Sequence, residues 1–156
     1  MAKPRSDNSH LESLAGFGGR ISEKVMTFAG GTTNDPGDFD GTGNPATLFT
    51  VTGSVAVKLL AYVQTTLTGA SATVEVGTAI TTIGLIPLTT GTGLAAGEIW
   101  HDASPDASIE LSTVLTEKIV SQNIIQTVRT ANVTAGKIKY VLFWKPLSED
   151  ANVVAA

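Results

Sequence analysis

Apolar and polar residues alternate along most of this chain, most cleanly over residues 54–66, SVAVKLLAYVQTT. Val55, Val57, Leu59, Ala61 and Val63 fall on one side of an extended chain, while Ser54, Ala56, Lys58, Leu60, Tyr62 and Gln64 fall on the other. The first set predicts the core-facing side of a long central strand. The second is mixed, and Leu60 and Tyr62 suit open water poorly. That face needs a cover of its own: a loop, the N-terminal arm or a neighbouring copy.

The same period recurs along the chain. Residues 137–145, KIKYVLFWK, place Ile138, Tyr140, Leu142 and Trp144 together and stop at Pro146. Shorter runs predict strands at 21–28, 46–51, 72–77 and 108–116, and one or two more within 118–130 around a turn at 121–123. The runs at 54–66 and 72–77, joined by a few Gly-containing residues, read as an antiparallel hairpin. Residues 78–90 carry Pro87, which lacks a backbone donor, so they form an edge strand or end at the proline. Residues 30–45, GGTTNDPGDFDGTGNP, are a loop by composition. Many short strands with no convincing helix predict an all-β protein: a single-domain antiparallel β-sandwich of jelly-roll type over 21–148, with a small β-barrel as the structural alternative. Residues 1–20 read as a disordered tail or as a flexible N-terminal arm with spaced apolar anchors Leu11, Leu14 and Phe17, and 149–156 as a C-terminal tail.

Composition sharpens this picture. Only 15% of the 156 residues are charged, against roughly 25% in typical soluble domains. Such weakly charged strand edges favour association with copies or a scaffold. The net charge of -4 includes no basic cluster, so direct nucleic-acid binding is not expected. The chain has no cysteine, which removes disulfides and thiolate chemistry. No apolar run approaches the roughly 20 residues of a membrane span, and no secretory signal is recognised.

Two places invite chemistry. Asp35, Asp38 and Asp40 cluster in the 30–45 loop, but the EF-hand register counted from Asp38 puts Phe49 where the closing glutamate belongs, so no metal is expected there. His101 and Asp102, with Asp106 nearby, suggest a catalytic pair. The nearby Ser104 and Ser108 lie in no nucleophile-elbow context, and adjacent residues of an extended chain point apart. The expectation is a turn in which Trp100 packs inward and Asp102 or Asp106 binds local amides. Neither catalytic residues nor a cofactor are expected.

The runs TLFTVTG at 47–53, TLTGASATVEVGTA at 66–79, EIWHDASPDASIE at 98–110 and FWKPLS at 143–148 resemble small structural proteins of tailed bacteriophages. The resemblance spans roughly residues 21–148 and rests on framework motifs, with no active residues to carry over. It implies a non-enzymatic capsid decoration (cement) protein, made in the host cytoplasm and placed on the outer capsid surface of the virion. The implied partners are the major capsid protein and further copies of the chain, as a trimer. A tail, neck or head-fibre component is the alternative within the virion. From another class, a carbohydrate-binding β-sandwich would stack sugars on Trp100 or Tyr62, with calcium in the Asp35/Asp38/Asp40 loop. The candidate contact residues are Leu11, Leu14, Phe17, Leu60 and Tyr62.

Overall fold

The computed structural model describes residues 19–31 and 34–156; Leu11, Leu14 and Phe17 lie outside them. Its strands are β1 (Arg20–Phe28), β2 (Ala46–Thr52), β3 (Val55–Thr68), β4 (Thr73–Gly77), β5 (Ile86–Thr90), β6 (Glu98–Trp100), β7 (Asp106–Ala107), β8 (Lys118–Val120), β9 (Ile124–Arg129), β10 (Ala135–Pro146) and β11 (Asn152–Ala155). They form two antiparallel sheets. Sheet A runs β1-β10-β3-β6-β7 with β8 also on β3, and sheet B runs β11-β2-β9-β4-β5. Neither sheet closes on itself, so the fold is a β-sandwich and the barrel alternative falls.

The two cleanest alternating runs, β3 and β10, pair over nearly their whole length at the centre of sheet A. Val55, Val57, Leu59, Ala61 and Val63 of β3 enter the core with Ile138, Tyr140, Leu142 and Trp144 of β10. Leu48 of β2, Val74 and Val76 of β4, and Ile124 and Val128 of β9 meet them from sheet B. Full burial of such a side chain contributes about 1.5–3 kcal/mol, so two facing rows supply the bulk of the driving force.

Polar atoms carried inward by the aromatics find partners on the opposite sheet. The Tyr140 hydroxyl donates to Gln126 Oε1 on β9 at 2.5 Å, and Trp100 Nε1 on β6 donates to Thr89 Oγ1 on β5 at 2.9 Å. Burial pushes the Tyr140 phenol well above its usual range. Tyr140→Phe should therefore cost about 1–3 kcal/mol, because it orphans a buried amide oxygen. A urea midpoint equal to that of the parent would show that the bond contributes nothing. One flank is closed where Ser22 Oγ on β1 donates to the Val153 carbonyl on β11 at 3.3 Å and accepts from Trp144 Nε1 at 3.0 Å.

Several expectations need correction. The runs at 54–66 and 72–77 are not a hairpin: β3 lies in sheet A and β4 in sheet B, where β4 pairs with β9 and β5. The Gly69–Ala72 link crosses between sheets. Residues 108–116 form no strand but a loop with a 3-10 turn at Ser112–Val114, leaving Ile109 and Leu111 in solvent. The segment read as a C-terminal tail contains β11, which pairs with β2 and buries Val153. Pro87 does sit in an edge strand, β5. Gly53 forms the corner where the chain passes from β2 in sheet B to β3 in sheet A. Its φ of +66° is one that other residues resist, and a Cβ there would lie 2.3 Å from Ser148 Oγ.

Candidate functional site

The outward face of sheet A follows directly from the strand period. Strand registers place three rows across it: Ile21–Phe143–Lys58, Glu23–Val141–Leu60 and Val25–Lys139–Tyr62–Ile99. Ile21, Val25 and Tyr62 are 60%, 47% and 43% exposed. Leu60 is half-buried, because the 110–115 loop lies beside it. Leu60, Ile99, Leu111, Leu115 and Phe143 line a hollow of about 140 Å³ on this face. Leu111, on its rim, is 68% exposed. Charged residues stand among the apolar ones: Lys58, Glu23 and Lys139 lie in the rows themselves, Lys139 pairing with Glu23 at 2.9 Å, and Lys145 pairs with Glu117 at 2.9 Å. Exposed apolar side chains grouped on one face mark an interaction site.

Next to it stands a second feature. The β6–β7 hairpin pairs Ile99 with Asp106, and alternation along β6 sends Trp100 into the core while Ile99 pairs with Tyr62 on the outer face; His101 follows directly after β6. His101 is nearly buried, with its side chain 8% exposed, among three carboxylates. Its Nε2 lies 3.0 Å from Glu110 Oε2 and 3.3 Å from Asp106 Oδ2, and Nδ1 lies 3.9 Å from Asp102 Oδ2. Asp102 Oδ1 also accepts from the Ser104 amide at 2.7 Å, a local Asx turn as the sequence suggested.

The carboxylates do not titrate independently. The hydrogen bond that protonated Asp106 donates to the Glu110 carboxylate is the main cause that raises Asp106 above its ordinary range. Glu110 is lowered, first by its hydrogen bond to His101 and then by the Leu111 amide. As pH falls, the proton therefore goes to Asp106 before Glu110. The raised group stabilises the fold at low pH and loses that contribution as pH rises, whereas the lowered group does the reverse. The two contributions to the pH dependence therefore have opposite signs. Glu110→Gln should return the Asp106 titration toward the usual carboxylate range, as followed by carboxyl-carbon NMR. An unmoved Asp106 would contradict the shared-proton arrangement.

Donor atoms of His101, Asp102 and Asp106 lie within 4.8 Å of one another, a nitrogen-plus-carboxylate set of the kind that can hold a divalent cation. Among the described residues the converging donors are at His101 and not in the Asp35/Asp38/Asp40 loop. In that loop the Asp38 amide donates to the Asp35 carbonyl at 3.0 Å, and the Asp38 carboxylate packs on Gly41. Among the described residues the contacts of the His101 ring nitrogens go to carboxylates.

The structure thus brings Leu60 and Tyr62 to one face, with Tyr62 the more exposed. It buries Trp100 completely, which removes that ring as a sugar-stacking platform. Phe143, Ile21 and Val25 join this face without having been singled out in the sequence, although the 137–145 alternation already put Phe143 opposite the core residues. Among the described residues no helix is long and apolar enough to cross a membrane. No protein family, characterised protein or solved structure matches the chain.

Proposed function

We propose that the protein is a non-enzymatic binding component of a phage particle, a capsid decoration protein that docks on the shell exterior through the outer face of sheet A. The observation that carries this reading is the exposure of Ile21, Val25 and Tyr62 on one sheet face, in the two rows that flank Glu23–Val141–Leu60. Framework similarity at 47–53, 66–79, 98–110 and 143–148 supplies the virion context and points to a trimer that meets the major capsid protein. The work of such a protein is contact. At about 25 cal/mol per Å² of apolar area, a few hundred Å² per contact summed over a shell would resist expansion once association costs are subtracted.

Sedimentation of the free protein, followed by co-sedimentation with purified shells, tests the proposal. A trimer that pellets with shells and raises their disruption temperature is the expected result. A strict monomer that stays in the supernatant overturns it. Antibody labelling of particles separates the alternative site: gold confined to the tail or neck would move the protein there.

A further inference from the structure

We propose that the outer face of sheet B holds a neutral sugar ring, in a cleft of about 340 Å³ between the 39–45 loop and the 78–84 loop. The inference is independent of shell docking through sheet A, which forms the other side of the sandwich.

The floor of the cleft is β9. Its alternation sends Ile124, Gln126 and Val128 inward, and so turns Ile125, Thr127 and Arg129 outward. One wall carries Phe39 and Asp40, the other Thr82. Both walls are pinned. The Phe39 amide donates to Asn132 Oδ1 at 2.8 Å, and its carbonyl accepts from Asn44 Nδ2. Across the cleft, the Thr78 and Gly84 amides donate to the Thr81 carbonyl at 3.0 and 2.9 Å. That carbonyl packs on Gly77 with no room for a Cβ.

An unpaired hydroxyl points to a ligand here. Thr127 is only 5% exposed, and its Oγ1 has no hydrogen-bond partner among the described residues. Native folds avoid leaving such a group unpaired, because its desolvation is not compensated. Rotation about the Cα–Cβ bond, between staggered wells, presents this hydroxyl to whatever occupies the cleft. Opposite Thr127 in the ladder stands Glu75, whose buried carboxylate accepts from Arg129 Nε at 3.2 Å and fixes the guanidinium at the end of the floor.

The polar groups choose the ligand class. Glu75 already matches the charge of Arg129, and Asp40 adds a carboxylate at the exposed rim, so the cleft does not attract an anion. What remains is hydrogen bonding. The terminal amino groups of Arg129 donate, the Asp40 carboxylate accepts, and the hydroxyls of Thr82 and Thr127 do either. A neutral polyol, each of whose hydroxyls both donates and accepts, fits such a mixed set. Phe39 and Ile125 offer apolar surface to the C–H face of a ring. The volume stands near the lower end of the roughly 300–1,000 Å³ of small-ligand sites, which suits a single ring better than a chain.

The test titrates the isotope-labelled full chain with the methyl glycosides of glucose, galactose and mannose, with maltose and lactose, and with sulfate as the anion arm. Each is taken to about 50 mM, above the millimolar Kd of a weak single-ring ligand. At least one glycoside should give saturable NMR shifts of the Ala79, Thr82 and Thr127 amides and none at Leu60 or Tyr62. A disaccharide that binds more tightly than its methyl glycoside supports the end of a glycan as the source, and equal binding supports a free sugar. Thr127→Val should keep or raise the thermal transition and weaken that binding about fivefold, the worth of one hydrogen bond. Silence at these amides with every sugar overturns the proposal, as does sulfate shifting them where sugars do not. A Thr127→Val protein that binds as tightly as the parent also overturns it. So does one that is markedly less stable, since the hydroxyl would then be paired in the free fold.

Discussion

Trp100→Ala should lower stability by about 3–5 kcal/mol, the range for truncating a large buried aromatic. The indole is fully buried, packs against Tyr140 with ring centroids 6.3 Å apart and donates to Thr89 across the two sheets. Its removal leaves a cavity between sheets, takes away the bond that the Thr89 hydroxyl accepts and loosens the β6–β7 hairpin that leads to His101. In a domain of this size each kcal/mol shifts the midpoint by about 2–4 °C, so a drop of roughly 10–15 °C in Tm is expected by calorimetry. A loss under about 3 °C would mean that β6 is peripheral and that the aromatic contact with Tyr140 contributes little.

Asn44→Ala comes second. Asn44 Oδ1 accepts from the Val128 amide at 2.8 Å, and its Nδ2 donates to the Val128 carbonyl at 2.8 Å and to the Phe39 carbonyl. A side-chain amide here continues the pairing of β2 along β9 beyond Ala46–Gln126 and holds the 39–45 loop against sheet B. Alanine leaves both Val128 backbone groups without this partner on a strand that is otherwise buried on both faces. At about 1–2 kcal/mol for each orphaned group, the expected loss is about 2–4 kcal/mol. Asn44→Asp keeps the acceptor but loses the donor, and should fall between alanine and the parent. Denaturant titration of the three proteins checks that order, and an alanine variant equal to the parent would refute the strand-surrogate role.

The legible parts of this fold were those where one rule governs a long segment. β3 and β10 each hold one apolar row over seven or more residues, a pattern that a half-buried strand satisfies, and Pro87 marked an edge because a missing donor is poorly tolerated elsewhere in a sheet. Pairing was not legible. A short Gly-containing link between two alternating runs serves equally for a hairpin and for a step between layers, and the 69–72 link takes the step. Alternation is also necessary without being sufficient: Ser108–Thr116 has the period, but Ile109 folds back on the Ala107 carbonyl and the segment joins no ladder. β11 failed for the opposite reason, since four residues are too few to show a period.

Of the site, Leu60 and Tyr62 were readable because their apolar character broke the polar face of a strand. Ile21 and Val25 were not, because their exposure follows from the order β1-β10-β3, which local sequence does not encode. The His101 cluster was hidden by the same limitation. In the sequence His101 stands next to Asp102, 3.9 Å away in the fold, with Asp106 close behind; its closest partners are Asp106 and Glu110, carried to it by the hairpin and the loop that follows, and Glu110 bears no local mark of that.

Sheet A's outer face is the centre of this account, and a paired substitution reads it most directly. Val25→Glu with Tyr62→Glu puts two carboxylates on either side of Lys139 in one row, where the fold can absorb them. Leu88→Glu on the other sheet is the control. Affinity for purified shells, measured by co-sedimentation at fixed salt, should fall at least tenfold for the pair and stay within twofold for the control, with thermal transitions near that of the parent. Full shell affinity in a folded Val25→Glu/Tyr62→Glu protein would contradict the account.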